Sequence, residues 1–243
     1  MRIEGKNAVT EALRAGKAVY KIKIAKEANQ ALFVGVVALA KKANIKLEYV
    51  ERKDLDLLSQ AQHHQGIIAE MEDFDYVGVS DILALAAKQG EAPFVIILDG
   101  IEDPHNLGSI IRVCDCAGVH GVVLPKHNAC PINETVAKVS AGAIGHVKVA
   151  RVTNLNNAIE ELKKAGVWVY AAELGGDDLY SQNLTGALGL VIGSEGKGVH
   201  ALTKKLCDGV LTLPMLGKVN SLNASVACGV VAFEAVRQRR KLK

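Results

Sequence analysis

Phe94-Val95-Ile96-Ile97-Leu98-Asp99-Gly100-Ile101-Glu102-Asp103-Pro104-His105-Asn106-Leu107-Gly108 turns from an unbroken apolar run to a polar loop to a helix start. A strand with no polar alternation is covered on both faces, so residues 94–98 read as a central strand of a parallel sheet. Asn106 is a good N-cap residue and marks the expected start of a helix over about 107–117. Downstream, strands are expected at Gly121–Leu124, Val147–Ala150, Val167–Ala172, Leu188–Ile192 and Gly209–Leu213. Helices fit between them at about 133–141, 154–165 and 199–206. This β-α-β-α order implies an α/β fold, a parallel sheet with helices on both sides. Ligand sites in such sheets form where loops leave the carboxyl ends of strands.

Upstream lies a second alternation. A helix (Gly5–Arg14), strand (Val19–Ala25), helix (Gln30–Ala43), strand (Lys46–Val50), short helix (Lys53–Ser59) and strand (Gly66–Glu70) make a small α/β unit. An acidic, aperiodic stretch at Met71–Ser80 and a break at Gln89–Pro93 flank a short apolar helix. The expected organisation is therefore 1–75 as one domain, 76–92 as linker and 93–243 as a second domain.

With 49% hydrophobic, 23% charged and only 4% aromatic residues, the chain can bury a large aliphatic core and offers few aromatics for a binding surface. The net charge of +3 conceals blocks: residues 1–53 carry +7, 54–103 carry −10 and the remainder +6. Basic ends around an acidic middle suit a polyanion held at two places, although charge runs are usually solvated faces. The N-terminus has no apolar signal core, and no run of about 18 apolar residues occurs, so a cytoplasmic protein without membrane contact is expected. The five cysteines lack metal-ligand spacing and read as free buried thiols.

The last helix, about Leu222–Arg239, is apolar nearly all round, through Val226, Val230, Val231, Phe233 and Val236. Such a helix is buried on more than one side. Its own sheet covers one side; a second copy of the chain is the expected cover for the other, although a helix wrapped wholly by its own domain would look the same. Arg237-Gln238-Arg239-Arg240-Lys241 then reads as a basic tail, solvated or touching phosphate.

Three loops carry the polar residues. The first runs Leu98 to Arg112, an arginine six residues beyond Asn106 among Ile110, Ile111 and Val113. The second, Ile192-Gly193-Ser194-Glu195-Gly196-Lys197-Gly198, leaves a strand on three glycines and matches neither the dinucleotide fingerprint nor a P-loop. The third, Leu213-Pro214-Met215-Leu216-Gly217-Lys218-Val219-Asn220-Ser221-Leu222-Asn223-Ala224-Ser225, opens the apolar helix. Asn220 or Ser221 can cap it. Asn223 and Ser225 then fall in its first turn, where a buried polar group needs a ligand or a protein partner.

In this order and at these strand ends, the three segments resemble motifs 1, 2 and 3 of the SpoU (TrmH) branch of the SPOUT RNA methyltransferases. Gly5-Lys6-Asn7-Ala8-Val9 and His63-His64-Gln65-Gly66-Ile67-Ile68-Ala69 resemble that family's substrate-binding extension, so the likeness spans nearly the whole chain. It is greatest to the RlmB-like members, which methylate a guanosine ribose of 23S rRNA. Ala224 stands where many relatives carry Val.

The resemblance implies a C-terminal sheet tied in a deep trefoil knot and an N-terminal unit of ribosomal-protein-like, RNA-binding fold. It implies S-adenosylmethionine as methyl donor, without metal, bent against Gly193, Leu213 and Leu222 with Ile192, Pro214 and Met215 beside them. It implies RNA rather than DNA as partner, and a homodimer through the C-terminal helix. Its functional polar residues correspond to Asn106, Arg112, Glu195, Ser221 and Asn223: Arg112 grips a phosphate, Glu195 orients Arg112 or the nucleotide, and Asn106, Ser221 and Asn223 align the ribose. Alternatives are a 2′-O-methyltransferase of tRNA, a non-catalytic RNA-binding or ribosome-assembly protein on the same scaffold, and a Rossmann-type oxidoreductase. The last is disfavoured by the missing G-x-G-x-x-G.

Overall fold

The computed structural model describes residues 2–17, 19–59, 64–71 and 74–240; His63 of the N-terminal motif and Lys241 of the basic tail lie outside them. In chain order the first elements are β1 (Arg2–Glu4), α1 (Lys6–Arg14), β2 (Val19–Ala25), α2 (Val34–Lys42), β3 (Lys46–Val50), α3 (Arg52–Leu58) and β4 (Ile67–Met71). There follow α4 (Val79–Gln89), β5 (Phe94–Asp99), α5 (Pro104–Cys116), β6 (Gly121–Pro125), α6 (Glu134–Val139), β7 (Lys148–Val152) and α7 (Leu155–Lys164). The chain closes with β8 (Trp168–Asp178), β9 (Leu188–Gly193), α8 (Ala201–Leu206), β10 (Gly209–Thr212) and α9 (Ala224–Arg240). Two compact units result, one of Met1–Asp75 with Ile132–His146, the other of Tyr76–Pro131 with Val147–Lys243.

The first unit is a mixed four-stranded sheet in the order β1-β4-β2-β3, with β2 and β3 parallel and β4 antiparallel to its neighbours. Three residues, Arg2–Glu4, are too few to carry a strand pattern, and β1 exists because β4 offers it an edge. Segment 132–146, placed by sequence in the C-terminal domain, packs within this unit: a Cβ at Gly142 would meet the Glu11 side chain at 2.7 Å, and one at Gly145 would meet Ala15 at 2.8 Å.

The second unit holds six strands in the order β10-β8-β9-β5-β6-β7, parallel throughout. All six residues of β5 are buried, as its unalternating sequence requires. Val95, Ile97, Val123, Val169 and Val191 face a core closed by α4 and α7, and α5 with α9 packs over the other side. The segment read as linker is therefore largely structural: Val79, Ile82 and Ala86 of α4 are buried, and Val77 bridges Ala150.

Both helix starts near the loops differ from expectation. Asp103 caps α5, its carboxylate accepting from the N–H groups of His105 and Asn106, with Pro104 in the first turn. An aspartate followed by proline outcompetes an asparagine three residues later, because proline is already set for the first helical position. Asn223 caps α9, its Oδ1 accepting from the N–H groups of Ser225 and Val226. The basic tail is also not free. Arg239 stacks 4.6 Å over the Phe94 ring and donates to the carbonyls of Gly186 at 2.6 Å and Pro93 at 3.2 Å. Arg237 grips Glu234 through two bonds of 2.7 Å.

Candidate functional site at the carboxyl ends of the strands

Register brings the loops together. Asp99 pairs with Gly193 at the ends of β5 and β9, and Ala172 of β8 pairs with Ile192. Beyond Ala172, β8 bulges before re-pairing with β10 at Asp177, which pushes Glu173 and Leu174 toward the same end. At Gly193 the returning loop passes so close that a Cβ would lie 2.2 Å from the Gly198 backbone; Ser194 and Gly198 close that turn with two backbone hydrogen bonds.

Between these loops is a cleft of about 330 Å³. Of the residues expected against a cofactor, Ile192, Gly193, Leu213, Met215 and Leu222 line it, and Pro214 does not. Glu195 and Ser221, expected in the chemistry, line it too. Apolar side chains and loop backbone with a polar rim suit a flat, partly apolar ligand oriented by a few polar contacts. Ala172, Glu173, Leu174, Leu211 and Ala227 also contribute. Sequence reasoning missed these, although Gly175-Gly176 was an available signal that the strand breaks there.

Three of the expected polar residues form one cluster. Asn106 Nδ2 donates to Glu195 Oε1 at 3.0 Å, Asn223 Nδ2 donates to Asn106 Oδ1 at 2.9 Å, and Asn223 Nδ2 also donates to Glu195 Oε1. Each motif supplies one member. The expectation of costly buried polar groups in the last helix is corrected: Asn223 is exposed and Ser225 half-buried, and Ser225 Oγ donates to Asn223 Oδ1 at 2.6 Å.

Arg112 stands apart. It is exposed on α5, six residues from Asn106, which is about 9 Å along the axis and roughly 120° round the helix. Among the described residues it has neither a hydrogen bond nor an ion pair, and it does not line the cleft. Glu195 is thus held by the two asparagines, and among the described residues it makes no bond to Arg112.

No helix is long and apolar enough to cross a membrane, and no group of three His, Cys, Asp or Glu residues is arranged to hold a metal, among the described residues. Residues 93–233 match the model of the SpoU rRNA methylase family, and residues 2–77 match that of the RNA 2′-O ribose methyltransferase substrate-binding domain. The chain belongs to the SpoU family of RNA methyltransferases. It is 46% identical over 236 residues to the TrmH family tRNA/rRNA methyltransferase YacO of Bacillus subtilis, covering 97% of this chain and 94% of the relative. It is 41% identical to a Staphylococcus aureus protein of the same description, with 98% and 96% covered. Among solved folds, the AdoMet-bound SpoU methyltransferase AviRb of Streptomyces viridochromogenes superposes with a TM-score of 0.80 at 24% identity, over 99% of this chain and 91% of that one. An AdoMet-bound rRNA methyltransferase of Sinorhizobium meliloti gives 0.82 at 24%, over 100% and 87%. The SpoU assignment agrees with motif loops that meet at one end of the sheet.

Proposed function

We propose that the protein transfers a methyl group from S-adenosylmethionine to a ribose 2′-hydroxyl of structured RNA, with a guanosine of 23S rRNA as its target. The observation that carries this is the Asn106–Glu195–Asn223 cluster on the rim of an apolar strand-end cleft. The donor lies in that cleft against Ile192, Gly193, Leu213, Met215 and Leu222, with Pro214 shaping the loop from outside. AdoMet in the two solved relatives of like fold supports this choice. Methyl transfer itself needs no metal.

The hydroxyl must attack in line with the departing sulfur, so fixed geometry supplies much of the acceleration. Asn106, Ser221 and Asn223 align the ribose, and Glu195, anchored by two amides, holds them in register. Arg112 grips an RNA phosphate and screens the developing alkoxide; a guanidinium keeps its proton in a protein, so it is not the base. Its unpartnered, exposed position suits a residue whose partner arrives with the substrate. The first 53 residues, carrying +7, add RNA affinity.

A homodimer through α9 and a knotted C-terminal sheet belong to this reading, as does a cytoplasmic setting. Val226 and Phe233 of α9 are 50% and 47% exposed, which supports a partner there. The insertion of β9 between β5 and β8 supports a threaded chain end.

Labelled S-adenosylmethionine is incubated with 23S rRNA and tRNA pools separately, and the 2′-O-methyl site is mapped. Label in a 23S guanosine is expected. Label only in tRNA moves the target, and no label in either ends the reading. Arg112→Ala abolishes transfer and leaves donor affinity within about twofold, and loss of donor binding would remove Arg112 from its assigned role.

A further inference from the structure

The proposed reaction needs a proton acceptor. Arg112 cannot serve, and Glu195 Oε1 already receives two amide donors. Two ionisable pairs stand near the strand ends: Glu173, which lines the cleft, is held as a carboxylate by Lys204 at 2.9 Å, and the other pair is Asp99 with His200. Asp99, the last residue of β5, is buried at 6% exposure and accepts twice from His200: from its backbone N–H at 2.9 Å and from its ring Nδ1 at 2.8 Å. A carboxylate only accepts, so Nδ1 carries the proton and Nε2 presents its lone pair. The imidazole side chain is 54% exposed. Asp99 is the only charged group within ion-pair distance of it, among the described residues.

Its placement links it to the cleft. Gly100 (φ +80°) passes between the ring and the cleft wall: a Cβ there would meet His200 Cε1 at 3.7 Å and Ser194 Cβ at 3.6 Å. Ser194 lines the cleft, next to Glu195. Only a glycine, which accepts this left-handed backbone and has no side chain, leaves that space open. The backbone bond to Asp99 would form with any residue at position 200. The second bond, which fixes an imidazole with Nε2 turned away from Asp99, needs histidine; the ring does not line the cleft and lies behind Gly100, next to the Ser194 that does.

We infer that His200, oriented by Asp99, is the base that takes the proton from the 2′-hydroxyl. This rests on the methyl-transfer reading above. The O2′–H bond breaks, with the proton passing to Nε2, as O2′ forms its bond to the methyl carbon. The S–CH3 bond breaks with its electron pair retained by sulfur, giving S-adenosylhomocysteine. The imidazolium is held against the Asp99 carboxylate until it releases the proton to water.

His200→Asn keeps an amide N–H for Asp99 and lacks a basic nitrogen. Its kcat is expected to fall about 100-fold on the RNA that wild type labels, with donor Kd and RNA KM unchanged and with the fall of activity toward acid pH lost. In His200→Ala, added imidazole restores part of the rate. Wild-type kcat in His200→Asn, or a change confined to KM, overturns the proposal. If both variants lose donor binding, the role is structural and the proposal also fails. Nitrogen NMR of the histidine ring tests it without turnover: Nε2 should be unprotonated at neutral pH, and the opposite tautomer would exclude the base. Absence of label with wild type would sink the transferase reading itself, and this inference with it.

Discussion

Asn223 uses one side chain twice. Its carbonyl caps α9, and its amide ties motif 3 to the other two motifs. The two roles separate by substitution: Asn223→Ser keeps a capping oxygen and removes the amide. Its melting temperature should stay within a few degrees of wild type, while transfer falls at least tenfold. Asn223→Ala loses both, including about 1 kcal/mol of capping, and a calorimetric scan beside a transfer assay distinguishes the two variants. Gly193→Ala should abolish donor binding, because its Cβ would strike the Gly198 backbone; isothermal titration checks it. His120 is a separate matter of stability. It is buried, its Nδ1 accepts from the Phe94 N–H, and burial pushes its pKa below the ordinary 6.5. The unfolded chain therefore binds a proton first as pH falls. Stability is fully present above 6.5 and is lost as pH falls through that value toward the lower folded one. Urea melts between pH 7.5 and pH 5 should show the loss, and it should shrink in His120→Gln.

At the scale of elements, α9 is an apolar helix with two distinct faces. Cys228, Val231, Ala232 and Ala235 are buried in this chain, whereas Val226 and Phe233 are not. On the proposed dimer through α9, Phe233→Glu is expected to halve the mass seen by light scattering while keeping the helical signal, and an unchanged mass would rule out that interface. The end of the same helix is anchored by Arg239, which donates to the carbonyls of Pro93 and Gly186, the first of which also accepts from the Leu188 N–H. Arg239→Ala should lower stability by about 2 kcal/mol, the scale of a charge-assisted hydrogen bond. By sequence that residue reads as part of a basic tail, solvated or touching phosphate. A run of basic residues does not reveal which member a neighbouring carbonyl cluster will claim.

For the whole molecule, the boundary between units is not a single point in the chain. Ile132–His146 belongs with the first unit, where Ala137 and Ile144 share a small pocket with Ile3, Ala12 and Met71. A fragment of residues 1–75 therefore lacks part of its own core. It should bind a hydrophobic dye and melt without a sharp transition, whereas a cooperative melt would show that the segment is dispensable. The contacts that decide this are separated by well over a hundred residues, so no local pattern reports them.

Sequence alone determined what depends on short-range periodicity and residue chemistry. It revealed the parallel sheet, because a strand buried on both faces cannot alternate, and the three polar loops, because they interrupt apolar strands at regular places. It also pointed to the residues Asn106, Glu195 and Asn223, through motifs whose combination is specific. Tertiary structure decided which oxygen caps which helix, that Glu195 is held by amides and not by Arg112, that Arg239 is spent inside the fold, and that Asp99 grips His200 across a hundred residues of chain. Those outcomes follow from strand register and the packing of distant segments. They select among several partners that the local sequence leaves equally satisfied.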